Sequence, residues 1–248
     1  MSIMDDTVMK ESPLQINTID HKNGKKASSI TMRSPGNDAE LAVGFMYGEG
    51  MIRHPSEIEK VETEEGIANV FFKGTHLPLT KTERNFYITS SCGVCGKSSI
   101  EELMIHGEPM KILKKIDPHK IQQFYVIMQE HQAAFKATGG CHGAAVFNYS
   151  GELVVSREDV GRHNAVDKCS GYLFNNELIQ KDEYILCLSG RSCYELIQKA
   201  IRINCSTVIS IGAATTLAIE TAKAFNITLI GFFRSDSSNV YSIAERIC

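Results

Sequence analysis

Tyr184-Ile185-Leu186-Cys187-Leu188-Ser189-Gly190-Arg191 is an apolar run that stops at a polar turn, and the residues after it decide the fold. A helix is expected from Ser192, with Cys193, Leu196, Ile197, Ala200 and Ile201 at helical spacing. A second strand is expected from Thr207 to Ile211, then a helix with Ala214, Leu217, Ala218, Thr221, Ala222 and Phe225 on one face. Asn226 ends that helix, and Ile227 to Phe233 reads as a third strand. Strands joined through helices by short connections must lie parallel, with right-handed crossovers. This part of the chain is α/β.

In open α/β sheets, ligands bind beyond the carboxyl ends of the strands. Here those ends carry Ser189-Gly190-Arg191, Gly212-Ala213-Ala214-Thr215 and Arg234-Ser235-Asp236-Ser237-Ser238. Hydroxyls, arginines and two helix starts on one edge suit phosphate groups, because free helix N–H groups and guanidinium forks both bind oxyanions. The plainer reading is that small residues make good turns. Neither a Walker motif nor G-x-G-x-x-G occurs, which disfavours a triphosphatase or a dinucleotide dehydrogenase.

Upstream the pattern changes. Asp117-Pro118 has the form of a helix start, and Ile121, Phe124, Tyr125, Met128 and Phe135 follow at helical spacing until Gly139-Gly140. A hairpin is expected next, from Ala144 to Tyr149 and Glu152 to Ser156 around Ser150-Gly151. Residues 14–115 read as a smaller strand-rich subdomain, with a helix start at Asn37 and a hairpin between Val61 and Thr80. The α/β domain spans 116–248.

The strand-rich half ends with Ser90-Ser91-Cys92-Gly93-Val94-Cys95-Gly96-Lys97, followed by a capping-box spacing at Ser98 and Glu101. Two thiols on a glycine-flanked loop at a helix start are placed for thiolate chemistry, since the helix end and Lys97 favour charged sulfur. Half of a zinc site, or two core cysteines, is the alternative. The chain has eight cysteines but no second C-x-x-C. Cys187 and Cys193 are read as core residues. The acidic N-terminus lacks the apolar stretch of a secretory signal, so free thiols in a reducing cytoplasm are expected.

Two further clusters carry polar chemistry. Residues 157–168, Arg-Glu-Asp-Val-Gly-Arg-His-Asn-Ala-Val-Asp-Lys, can form a proton-transfer group around His163 or simply a solvated helix start. Thr138-Gly139-Gly140-Cys141-His142 can add ligands to the Cys92–Cys95 pair or be a plain turn with a hydrogen-bonded histidine. A zinc deaminase needs H-x-E ahead of P-C-x-x-C; here the order is reversed and Ala144 stands where the Glu would be. No metal-ligand set and no structural zinc is expected. A net charge of −3 over 248 residues gives no bulk argument for nucleic acid or an anionic membrane, and no apolar stretch has transmembrane length.

Taken together, S-S-C-G-V-C-G-K, T-G-G-x-H, E-D-V-G-R-H-N-A-V-D-K, S-G-R-x-x-x-E-L and the closing N-V-Y strongly resemble the formate dehydrogenase accessory sulfurtransferase family, FdhD. The resemblance runs from about Pro13 to the C-terminus; Cys141, Gly143 and Cys193 depart from the pattern. It implies a cytidine-deaminase-like α/β mixed sheet with flanking helices. It implies a sulfur carrier that takes persulfide sulfur from a cysteine desulfurase and passes it to the molybdenum (or tungsten) bis(molybdopterin guanine dinucleotide) cofactor before that cofactor enters apo-formate dehydrogenase. Cys92 matches the persulfide position, with Cys95 as its partner. Phe232, Phe233, Arg234, Ser235, Asp236 and Ser237 match the cofactor-binding segment, and Ser189, Gly190 and Arg191 lie on the same expected edge. A non-catalytic insertion chaperone is the alternative function, a dithiol oxidoreductase a weaker one; a homodimer is left open.

Overall fold

The structure, a computed structural model, describes residues 6–20, 24–73, 109–111, 114–234 and 237–248. Cys92, Cys95 and the helix start after them lie outside the described residues, as do Ser235 and Asp236.

The first sheet has four strands: β1 (Ser12–Asp20), β2 (Gly24–Arg33), β3 (Ile58–Glu64) and β4 (Ile67–Phe72), in the order β2-β1-β4-β3. β1 runs parallel to β4, and the other pairs are antiparallel. The expected hairpin is β3–β4, turning at Gly66 with φ 75°, where only a residue without Cβ sits at ease. Alternation along β4 buries Ala68, Val70 and Phe72 on one face.

The second sheet has six strands: β5 (His142–Asn148), β6 (Leu153–Asp159), β7 (Tyr184–Leu188), β8 (Cys205–Ser210), β9 (Thr228–Gly231) and β10 (Asn239–Ser242), in the order β10-β9-β8-β7-β5-β6. β7, β8 and β9 are parallel, as their helical crossovers demand, and β5 and β10 flank them antiparallel. The helices are α1 (Asp38–Gly48), α2 (Pro118–Glu130), α3 (Ala133–Thr138), α4 (Arg162–Asn175), α5 (Tyr194–Arg202) and α6 (Thr216–Ala224). The expected α/β mixed sheet with flanking helices and a smaller strand-rich unit is the architecture found.

Why β7 is apolar throughout follows from its two covered faces. Leu186 and Leu188 pack with residues of α1, α4, α5 and α6, while Ile185 and Cys187 face Ile121, Phe124 and Met128 of α2. Each such buried side chain contributes roughly 1.5–3 kcal/mol. The first cluster also takes in Leu14, Ile16 and Val70 of the smaller sheet, so the described residues of both halves share one apolar core.

The halves meet where α1 crosses α4. A Cβ on Gly44 would stand 1.8 Å from the Asp167 carbonyl oxygen, and one on Gly171 would stand 1.9 Å from that of Glu40. Only hydrogen at both positions lets the two backbones touch.

One helix differs from its expected course. The pattern from Ile121 to Phe135 predicts a single helix, but α2 ends at Glu130 and Phe135 is 46% exposed on α3. The Glu158 carboxylate accepts the N–H groups of Ala134 and Phe135, both at 2.8 Å, and so caps a new helix start. Buried Gln132 fills the break against Gly143, where a Cβ would come within 2.3 Å of its Nε2. The expected stop is kept: Gly139 ends α3 with φ 62°.

Candidate functional site

The carboxyl ends of β7, β8 and β9 form one edge, and backbone hydrogen bonds lace their turns into a floor. Gly212 N donates to Gly190 O at 3.0 Å, Ser192 N to Ala213 O at 3.0 Å, and Phe232 N to Gly212 O at 3.0 Å. A Cβ on Gly212 would stand 2.9 Å from Arg191 Cα, so that approach needs glycine.

The described residues expected on this edge are near it, but they divide by task. Ser189 is a brace: its Oγ accepts Gly143 N at 2.8 Å and its own N–H donates to Gly143 O at 3.0 Å. Gly190 lets His142 lie close, with 3.3 Å between a built Cβ and Nδ1. Arg191 is exposed and has no side-chain partner among the described residues. Of the two aromatics, Phe232 is 45% exposed, while Phe233 is buried with its ring edge-on to Tyr125 at 5.9 Å. Arg234 Nη1 donates to the carbonyls of Ile211 and Phe233, both at 2.8 Å, tying the β9 turn to the β8 turn. Ser237 is exposed, and its carbonyl accepts Arg234 N at 2.8 Å.

Two buried donors on this edge lack a partner among the described residues. Ser192 is fully buried with its Oγ unpaired, just ahead of α5, and Arg162 Nε at the start of α4 is likewise buried and unpaired. Unpaired buried donors cost stability unless something answers them. Neither is among the residues that the motifs single out for binding. Ser192 resembles any turn serine in sequence, and Arg162 sits in a run whose charges suggest a solvated surface.

That run is not a solvated surface. Asp159 and Lys168 are buried and paired at 2.7 Å. Asp159 also accepts Ser34 N at 3.1 Å, Gly161 N at 2.8 Å and Asn164 Nδ2 at 3.1 Å, while Lys168 donates to Ser34 O at 2.9 Å. Next to Lys168 in sequence, Asp167 pairs with Lys199 at 2.6 Å, both buried. The reason is tertiary: Ser34 comes from the segment after β2, which the run's own sequence does not predict.

His163 sits in the first turn of α4, its Nε2 3.3 Å from Cys193 Sγ. Burial, then the charges of Arg162 and Lys199, push its pKa down to about 4, so it is neutral near pH 7. His142 is also pulled down, by burial first and Arg162 second. Cys193 packs against the core as expected but is only half-buried: it is the N-cap residue of α5, and burial together with a hydrogen bond to Glu195 raises its thiol pKa. The Cys141–His142 pair is divided. Cys141 donates to Glu158 Oε1 at 3.3 Å, its thiol pushed up to about 12, whereas His142 lies against Gly190 and the Arg162 chain.

Among known proteins, the model of the FdhD/NarQ family matches residues 9–248. The sulfur carrier protein FdhD of Picrophilus torridus is 40% identical, over 98% of this chain and 92% of that one. The protein of the same name from Saccharolobus solfataricus is also 40% identical, over 98% and 91%. A crystal structure described as a formate dehydrogenase accessory protein, from Desulfotalea psychrophila, superposes with a TM-score of 0.78 at 25% identity, covering 99% of this chain and 92% of that one.

Proposed function

The chain belongs to the FdhD/NarQ family, and from that premise we propose that it is a sulfur carrier serving formate dehydrogenase. In this reading a cysteine desulfurase loads sulfur onto the Cys92–Cys95 pair. The acceptor is a molybdenum bis(molybdopterin guanine dinucleotide) substrate held at the edge of the six-stranded sheet before it enters apo-formate dehydrogenase. The observation that carries the reading is the set of donors on that edge that no described residue engages: exposed Arg191, and the buried atoms Ser192 Oγ and Arg162 Nε.

Those groups fit an anionic dinucleotide. Arg191 and the α5 start meet phosphate oxygens, Ser192 Oγ donates, and the open ring of Phe232 stacks on a purine base. Arg234 and Ser189 keep the turns in register. His142 and His163, both neutral, add no repulsion toward the arginines.

The thiol chemistry follows from elementary rules. A free cysteine has a pKa of about 8.5, so a loop that lowers it raises the attacking thiolate fraction at neutral pH. The Cys92 thiolate attacks the terminal sulfur of the desulfurase persulfide; that S–S bond breaks, the desulfurase leaves as thiolate, and Cys92 carries the new persulfide. Attack by Cys95 on the inner sulfur then releases hydrosulfide and leaves a disulfide, which a dithiol reductant reopens.

Mass spectrometry after incubation with a cysteine desulfurase and cysteine tests the proposal. One added sulfur is expected on the peptide from Ser90 to Lys97. Cys92→Ala should abolish the adduct while guanosine diphosphate binding persists. Loading only at Cys187, Cys193 or Cys205 would sink the sulfur-carrier reading; normal cofactor delivery by Cys92→Ala would favour a pure insertion chaperone.

A further inference from the structure

We propose that His163, Cys193 and Glu195 bind a single zinc-class divalent cation, at a site distinct from the Cys92–Cys95 pair and independent of the sulfur-carrier reading. Two helix starts bring the three together: His163 opens α4, Cys193 is the N-cap residue of α5, and Glu195 stands in its first turn. His163 Nε2 and Cys193 Sγ are 3.3 Å apart, and one ligand atom from each of the three residues lies within 4.8 Å of the others.

Tetrahedral zinc, with Zn–S near 2.3 Å and Zn–N or Zn–O near 2.0–2.2 Å, sets its ligand atoms roughly 3.3–3.6 Å apart. The imidazole–thiol edge already has about that length. The carboxylate needs to close by no more than about 1.5 Å, within the reach of Glu side-chain rotation.

The donor set selects the class of ion. Imidazole with thiolate favours zinc and its neighbours over magnesium or calcium, which prefer all-oxygen shells. Three protein ligands leave a fourth position open, as in zinc sites that bind water or substrate. His163 is buried while Cys193 and Glu195 are half-buried, so the ion is reached from the solvent side. On binding, the Cys193 S–H bond breaks, its proton goes to solvent, and an Sγ–metal bond forms. Thiolate and carboxylate then cancel both charges of the ion, and the nearby Lys199 is already paired with Asp167 at 2.6 Å. Cys193 is one of the positions where this chain departs from the family pattern, so the site is argued for this chain alone. The expectation of no metal was built on the Cys92–Cys95 and Cys141–His142 pairs and took Cys193 for a core residue; the geometry found at Cys193 reopens it.

The test uses the full chain carrying Cys92→Ser and Cys95→Ser, which removes the competing thiol pair. Titration with Co²⁺ should saturate at one ion per chain, with a thiolate-to-cobalt charge-transfer band, and Zn²⁺ should displace it. Adding Cys193→Ser should abolish the band and weaken Zn²⁺ binding at least about tenfold. Serine is a favoured N-cap residue, so α5 should be kept, with circular dichroism to check the fold. Glu195→Gln should weaken binding while keeping the band. Absence of saturable binding, a band that survives Cys193→Ser, or metal bound only when Cys92 and Cys95 are present would each overturn the proposal.

Discussion

The first turns of α4 and the edge of the larger sheet hold similar residues in opposite conditions. At the end of β6 and in α4, Asp159, Asp167 and Lys168 are buried, and each charge is matched: Asp159 with Lys168 at 2.7 Å, Asp167 with Lys199 at 2.6 Å. At the edge, Arg191 is solvent-facing without a side-chain partner among the described residues, and Arg162 keeps a buried Nε that none of them answers. Residue type does not separate a structural charge from a binding charge. What separates them is whether the fold itself provides the counter-group. The inner cluster is closed by backbone from the segment after β2, whereas no described residue answers the free donors at the edge.

The largest effect should come from opening the closed cluster. Lys168→Met strands Asp159 in the core, and breaking one partner of a buried pair typically costs about 3–5 kcal/mol. The midpoint of urea unfolding should fall accordingly. A loss below about 1 kcal/mol would mean that the inner charges are not what holds α4 to β2.

Next in size is the opposite experiment on the open edge. Arg191→Ala should leave unfolding unchanged within about 0.5 kcal/mol, because no hydrogen bond or ion pair among the described residues is lost. It should weaken guanosine diphosphate binding by about ten- to a hundredfold, the worth of a charged contact of 1.5–3 kcal/mol. Urea unfolding reads the first arm and calorimetric titration of the folded variant the second; unchanged affinity would move the nucleotide away from this edge.

Arg234→Ala sharpens the comparison, since this side chain belongs to both conditions. It is exposed, yet it donates to the Ile211 and Phe233 carbonyls at 2.8 Å. The expected outcome is a stability loss of about 1 kcal/mol together with a loss of nucleotide affinity smaller than that of Arg191→Ala. A larger affinity loss than Arg191→Ala would make Arg234 a ligand contact rather than a brace.

These contrasts also mark what a sequence can carry. The alternation from Tyr184 to Gly231 is legible because each strand and helix is short, apolar on its covered faces and stopped by turn residues such as Asn226, which adopts φ 54°. The break between α2 and α3 is not legible, because its cap, Glu158, lies more than twenty residues downstream. The same holds for the run at Asp159–Lys168, whose Ser34 partner is 125 residues away from Asp159. Phe232 and Phe233 mark the boundary: the sequence shows that one should be open and the other covered, and only packing against Tyr125 decides which. The pairing of His163 with Cys193 has no local signature at all, since it depends on two helices starting at the same edge.

The bare crossing of α1 and α4 has a consequence of a mechanical kind. Gly44 rests on the Asp167 carbonyl and Gly171 on that of Glu40, so at these two points the helices are located against each other by main chain. A contact between side chains has play in it, because rotamers can give; a contact between backbones is a hard stop. The end of α4 that carries Arg162 and His163 is therefore gauged from the strand-rich half of the chain to the tolerance of a peptide group. A single methyl at Gly44 or Gly171 would be felt at the opposite end of the helix, as a shim under one bearing tilts the whole shaft.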